Sequence, residues 1–208
     1  MWNEQIIMML LEGIKDTLYM TLTSTLIGYV IGLPMGILLT VTDKDGIHPN
    51  AAVYKVLDVI ANLIRSVPFL ILLIVLIPFT RFLIGRSYGP TATIVPLVIA
   101  AAPYIARMVE SSLKEVDAGV IEAARSMGAS NFTIVTKVML VEARTSLIVG
   151  ATISLGTILG YSAMAGTVGG GGLGDIAIRY GYTRWQTDIM VVTVLLLVIL
   201  FQIFQTIG

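Results

Sequence analysis

Few residues in this sequence have the type and spacing that chemistry requires. His48 is the only histidine and there is no cysteine, which leaves no thiolate metal site, disulfide or thiol nucleophile. No Ser-His-Asp set, His/Cys ligand set or carboxylate pair within an apolar run is available, which argues against an enzyme. The glycine run at 169–172 invites comparison with a phosphate cradle, but no glycine in the chain is followed by lysine. The P-loop pattern is therefore missing, and the run reads as a flexible, non-cytoplasmic loop. What remains is one short polar stretch, "EAARSMGAS" at residues 122–130, inside an otherwise apolar chain.

That stretch carries a full set of helix boundary signals. Asp117 is a good N-cap. Glu122, Ala123, Ala124 and Arg125 favour helix, and Arg125 falls near the C-terminus, where a cation suits the helix dipole. Gly128 fits the left-handed position that ends a helix, and Ser130 can cap the next one. The expectation is a helix over about 118–127, roughly 15 Å long and too short to be stable alone. Its small alanines would let another surface approach and its charges would orient it, as in a helix docked in a groove. An interfacial helix covering the underside of a bundle fits the same residues equally well.

The elements around it are read from the spacing of charge. Only 12% of the 208 residues are charged and 56% are hydrophobic, with a mean hydropathy of +0.91. Thirteen basic residues balance thirteen acidic ones, and nothing points to nucleic acid. Charge-free gaps run over 17–42, 66–80, 87–106, 145–174 and 189–208. A crossing of the bilayer takes about 20 apolar residues. The expected fold is all-α: a single polytopic membrane domain over 1–208, with five transmembrane helices at about 15–42, 52–80, 89–113, 141–164 and 186–208. The short helix lies between the third and fourth. The stretch "QIIMMLLEGIK" reads as an interfacial amphipathic lead-in rather than a cleavable signal.

Several features within the spans carry expectations of their own. Gly28, Gly32 and Gly36 share one face, where a neighbouring backbone can come close, and Pro34 should kink that helix. Arg65 and Pro68 interrupt the second span; Arg65 is expected near one interface, where it either snorkels or lines an aqueous path. With 114–144 inside, eight basic residues lie on the cytoplasmic side against five outside. That orientation puts the N-terminus outside and the C-terminus in the cytoplasm. The chain ends on "FQTIG" without basic residues, and a cytoplasmic tail is expected beyond it.

"EAARSMG" resembles the EAA loop of binding-protein-dependent ABC-importer permeases, with Glu122, Ala123, Ala124 and Gly128 at the matching positions. The proline that usually closes the motif is Val141 here, which allows a smoother join to the fourth span. "RSVPF", "IPFTR", "VPLVIAAAPYIARMVE", "YSAMAGTVGGGGLG" and "RYGY" extend the resemblance over nearly the whole chain, to the methionine-uptake branch of these permeases.

The resemblance implies a permease subunit in the bacterial inner membrane for D- and/or L-methionine. Glu122, Ala123, Ala124, Arg125 and Gly128 would form the cytoplasmic coupling helix that docks in a cleft of the ATPase. The implied partners are a second copy of the chain, two ABC ATPase subunits, an extracytoplasmic methionine-binding protein and the lipid bilayer. No cofactor would be bound by this chain, ATP and Mg residing on the ATPase. Met164, in "YSAM", would gate the pathway across the dimer axis or simply pack, with Tyr161 and Ser162 contacting substrate or packing nearby. The charge gaps hold no acidic residue, which agrees with an external motor rather than an ion gradient. The alternatives are a permease for another amino acid and a membrane assembly subunit that transports nothing.

Overall fold

The structure is a computed structural model that describes residues 4–207. It is all-helical among the described residues. The first helix, α1, runs unbroken over Glu4–Thr42, through Pro34, for about 58 Å. The expected interfacial lead-in is therefore continuous with the first span rather than a separate element. The hydroxyls of Thr17, Thr25 and Thr40 each donate to the carbonyl four residues back, so these polar residues stay satisfied within an apolar helix.

The second expected range is broken at the interruption that Pro68 suggested. The range 52–80 is not one helix but α2 (Ala51–Ser66), α3 (Phe69–Val75) and α4 (Ile77–Ile84). The first two are bent by 101° relative to one another. Pro68 explains the break: it disfavours helical geometry at the preceding residue, and Val67 is extended at φ −84°, ψ 124°. Among the described residues, four segments are long and apolar enough to cross a membrane, at Glu4–Thr42, Pro90–Lys114, Arg144–Tyr182 and Thr187–Ile207; the bent pair would make a fifth.

α5 (Pro90–Lys114) is the central helix, packed along α1. The glycine face of α1 permits this approach. A Cβ at Gly32 would lie 2.6 Å from the Ala102 carbonyl oxygen, and one at Gly36 2.5 Å from that of Ala106. The main core, with Met20, Leu97, Ile105 and Val109 buried, sits around this contact. Beyond α5 come α6 (Ala118–Ser126), α7 (Arg144–Ala165) and α8 (Thr187–Ile207). The expected end of the last helix at 208 lies outside the described residues. α8 packs on α7, with Phe201 against Gly156, and is otherwise largely exposed.

The bundle has two distinct ends. At one, the α1–α2 turn meets α6, where Arg125 bonds the Ile47 carbonyl. At the other, the α4–α5 turn meets the glycine run through Gly89 N–H to Gly169 O at 2.9 Å. That run is not the flexible loop expected from sequence. It is a packed reversal: Thr17 accepts from Leu173 N–H at 2.9 Å, and Thr93 donates to the Gly170 carbonyl at 3.3 Å. Gly169, Gly171 and Gly172 have φ between 74° and 83°, which lets the chain turn back tightly.

Candidate functional site

α6 forms where its caps place it. The Asp117 carboxylate accepts from Gly119 N–H at 2.8 Å, offsetting one of the unpaired donors at the helix start. Gly128 adopts φ +80°, and its N–H bonds the Arg125 carbonyl at 3.0 Å. Ser130 accepts from Thr133 N–H and starts a helical connector over residues 131–142, whose middle, Ile134–Met139, is a wide π-type turn. The connector reaches α7 through a single turn residue, Ala143, bridged by Ala143 N–H to Met139 O and Leu147 N–H to Ala143 O. With no proline at position 141, the donor ladder continues across the join.

The structure divides the motif residues between two faces. Ala124 is 4% exposed and belongs to the chain's own core, beside Ile134 and Met139. Glu122 and Ala123 face outward, as do Val120 and Met127, the latter 83% exposed. Of the two alanines, one anchors the helix and the other is presented. Arg125 reaches back to the Ile47 carbonyl at 2.9 Å, so it ties α6 to the α1–α2 turn. Between these elements lies a cleft of about 510 Å³, with Asp45, Ile47, Glu122 and Arg125 on its walls.

A charge network behind α6 was not legible as a unit in the sequence. Arg107 pairs with Asp58 on α2 and with Glu110 at 2.6 Å. Lys114 pairs with Glu110 at 2.8 Å and with Asp43 at 2.6 Å. Asn62 adds an acceptor for Arg107 at 2.9 Å. The Lys114 hydrogen bond holds the Asp43 carboxyl below its ordinary value, against the opposing effect of burial. The network joins α1, α2 and α5 at the end that carries α6. Its available signal was the spacing of Arg107, Glu110 and Lys114, three and four apart on one helix face.

The other predicted residues lie toward the far end of α7. Met164 is 52% exposed. Tyr161 stacks on Phe69, with ring centroids 4.3 Å apart. Ser162 is buried against α1, donating to the Leu159 carbonyl at 2.7 Å and accepting from Thr21 at 3.5 Å. Ser162 thus packs, whereas Met164 and one side of Tyr161 remain accessible in the single chain.

Arg65 is exposed in the single chain. It lines a cavity of about 210 Å³ with Phe69, Ala100, Tyr104 and Tyr161. Ala100 and Tyr104 lie in the middle of the 25-residue α5, about 15–21 Å from its start.

The model of the binding-protein-dependent transport system inner membrane component family matches residues 15–207. A probable D-methionine transport system permease protein of Vibrio cholerae is 48% identical over 200 residues, spanning 96% of this chain and 89% of that protein. The D-methionine transport system permease protein of Escherichia coli K12 is 51% identical over 164 residues, spanning 79% of this chain and 76% of that protein. A chain from the MetNI methionine ABC transporter in inward-facing conformations matches with a TM-score of 0.97 and 49% identity, covering 100% of this chain and 96% of that one. A chain of an amino acid ABC transporter, at 21% identity and TM-score 0.80, shares the fold. A capped helix displayed at one end of an apolar bundle, a family match over nearly the full length and relatives about half identical place this chain in the family of binding-protein-dependent transport system inner membrane components.

Proposed function

We propose that this chain is the permease subunit of an ATP-driven methionine importer, working as a dimer with two ATPase subunits and an extracytoplasmic methionine-binding protein. The observation that carries the coupling is α6: a capped helix of nine residues whose inner face is bolted to the bundle and whose outer face is open. Such a rod moves as one body with the connector and α7. A partner closing around ATP would shift the rod, and the bundle would follow only as far as the contacts differ between states. Relatives and a solved neighbour carrying methionine-transport names support the cargo.

The single chain is one domain that crosses the membrane five times in this reading, the α2–α4 segment forming the broken second crossing. The α6 end faces the cytoplasm, which puts seven of the thirteen basic residues inside and five outside, with Arg65 within the crossing, in keeping with the positive-inside rule. α1 then begins outside and α8 ends inside. Glu122, Ala123 and Met127 contact the ATPase, Ala124 and Gly128 shape the rod, and Arg125 fixes its angle. ATP and Mg stay on the ATPase. Met164 meets its twin across the two-fold axis and closes the pathway, with Tyr161 beneath it and Ser162 holding α7 to α1.

Two measurements test this reading. Purification of the tagged chain should bring an ABC ATPase with it. The reconstituted complex, given its binding protein, should take up labelled methionine only when ATP is present. Purification without any ATPase would leave an assembly role instead, and ATP-driven uptake of a different amino acid would replace the cargo.

A further inference from the structure

We propose that Arg65 binds the carboxylate of the transported amino acid, with Phe69, Tyr104 and Tyr161 forming the wall against its side chain. The proposal rests on the amino-acid cargo inferred above and adds the site that holds it. Arg65 is exposed in the single chain, and its side chain makes no hydrogen bond or ion pair among the described residues; Arg81, Arg86 and Arg144 are equally unpaired, but only Arg65 lines this aromatic cavity. Its neighbours Ala100 and Tyr104 belong to the charge-free stretch 87–106, read above as part of the third crossing. A guanidinium there is costly unless it faces water or a counter-charge. No carboxylate lines its cavity. The group is therefore a cation with room for an anion.

The cavity suits one end of a small zwitterion. A guanidinium offers a fork of donors matched to a carboxylate. The stacked rings of Phe69 and Tyr161 make a flat apolar wall beside it. The Tyr104 hydroxyl, within 3.5 Å of Thr157 Oγ1, supplies a polar edge. At about 210 Å³ the cavity is below the usual range of pockets for drug-sized ligands, which fits a single amino acid and excludes a polymer. The kink at Pro68 exposes this wall: a straight helix would carry Phe69 away along its axis.

Because the chain lacks cysteine, one thiol can report on the cavity. In the assembled complex in nanodiscs, Ile64→Cys should react with a water-soluble thiosulfonate. Methionine at about ten times its Kd should slow that reaction about tenfold. Ile64→Cys with Arg65→Gln should react at the same rate but lose the protection, and Arg65→Lys should recover part of it. Methioninol, which lacks the carboxylate, should not protect. Unchanged protection in Arg65→Gln, equal protection by methioninol, or a thiol that never reacts overturns the site. If another amino acid protects in an Arg65-dependent way and methionine does not, the site stands and the methionine cargo falls. If no amino acid protects, the site falls, and ATP-driven methionine uptake decides the cargo separately.

Discussion

The Arg125 guanidinium donates to the Ile47 carbonyl at 2.9 Å, joining α6 to the turn between the first two helices. The bond spans 78 residues of sequence and is exposed, so it contributes no more than about 1 kcal/mol to stability. Its consequence is mechanical, because it sets the angle of α6. Arg125→Ala should leave the complex assembled and its thermal midpoint nearly unchanged, while lowering methionine taken up per ATP hydrolysed. An unchanged coupling ratio in proteoliposomes would remove Arg125 from the linkage.

Gly128 separates backbone strain from steric crowding. A Cβ there would meet nothing within 4 Å, yet φ is +80°. Gly128→Val should destabilise the α6 terminus by about 1–2 kcal/mol, since the left-handed region disfavours β-branched residues, whereas Gly128→Asn should be nearly tolerated. Hydrogen exchange over 118–130 and ATPase retention on affinity resin should rank the variants glycine, asparagine, valine.

Arg107 holds two carboxylates, and Glu110 beside it is only 5% exposed. Arg107→Met leaves Asp58 without its cation and Glu110 with Lys114 alone, and should cost about 3 kcal/mol. Adding Glu110→Leu and Asp58→Leu should recover much of that loss, because the desolvation penalty goes with the charges. Thermal unfolding in detergent distinguishes the single from the triple variant.

Asp43 predicts an acid limit at the α6 end of the bundle. Its carboxyl lies below the ordinary 3.8 because Lys114 donates to it. A depressed folded-state value stabilises the fold above the unfolded-state value. The contribution is lost as pH falls below about 3.8 and through the folded-state value. Limited proteolysis of the α1–α2 turn should rise in that window for the native chain, and Asp43→Asn should show the higher rate already at neutral pH.

Met164 is half exposed at the far end of α7. If two copies close the pathway there, Met164→Ala should raise methionine leak and uncoupled ATP hydrolysis, and Met164→Leu should keep both low. Equal leak in all three proteins assigns Met164 to packing.

Local chemistry alone identified much of this protein. The charge gaps marked α1, α5, α7 and α8, because a hydrocarbon interior excludes unpaired charge over a definite length. Asp117, Gly128 and Ser130 marked α6 and its connector, because caps satisfy backbone groups within three residues. The glycine face of α1 was legible as a close approach, though its partner, Ala102 and Ala106 on α5, was not. Tertiary structure decided the rest. It bent the second expected range by 101° and so set Arg65 beside a cavity shared with Phe69, Tyr104 and Tyr161. It turned the glycine run into a packed reversal through Thr17 and Thr93, residues 156 and 77 positions away from the groups they bond. It also gathered Asp43, Asp58, Arg107, Glu110 and Lys114 from three elements into one network. Periodicity and capping act over a few residues, so they are written in the sequence; the direction of a broken helix and the partner of a charge depend on which distant segments share space.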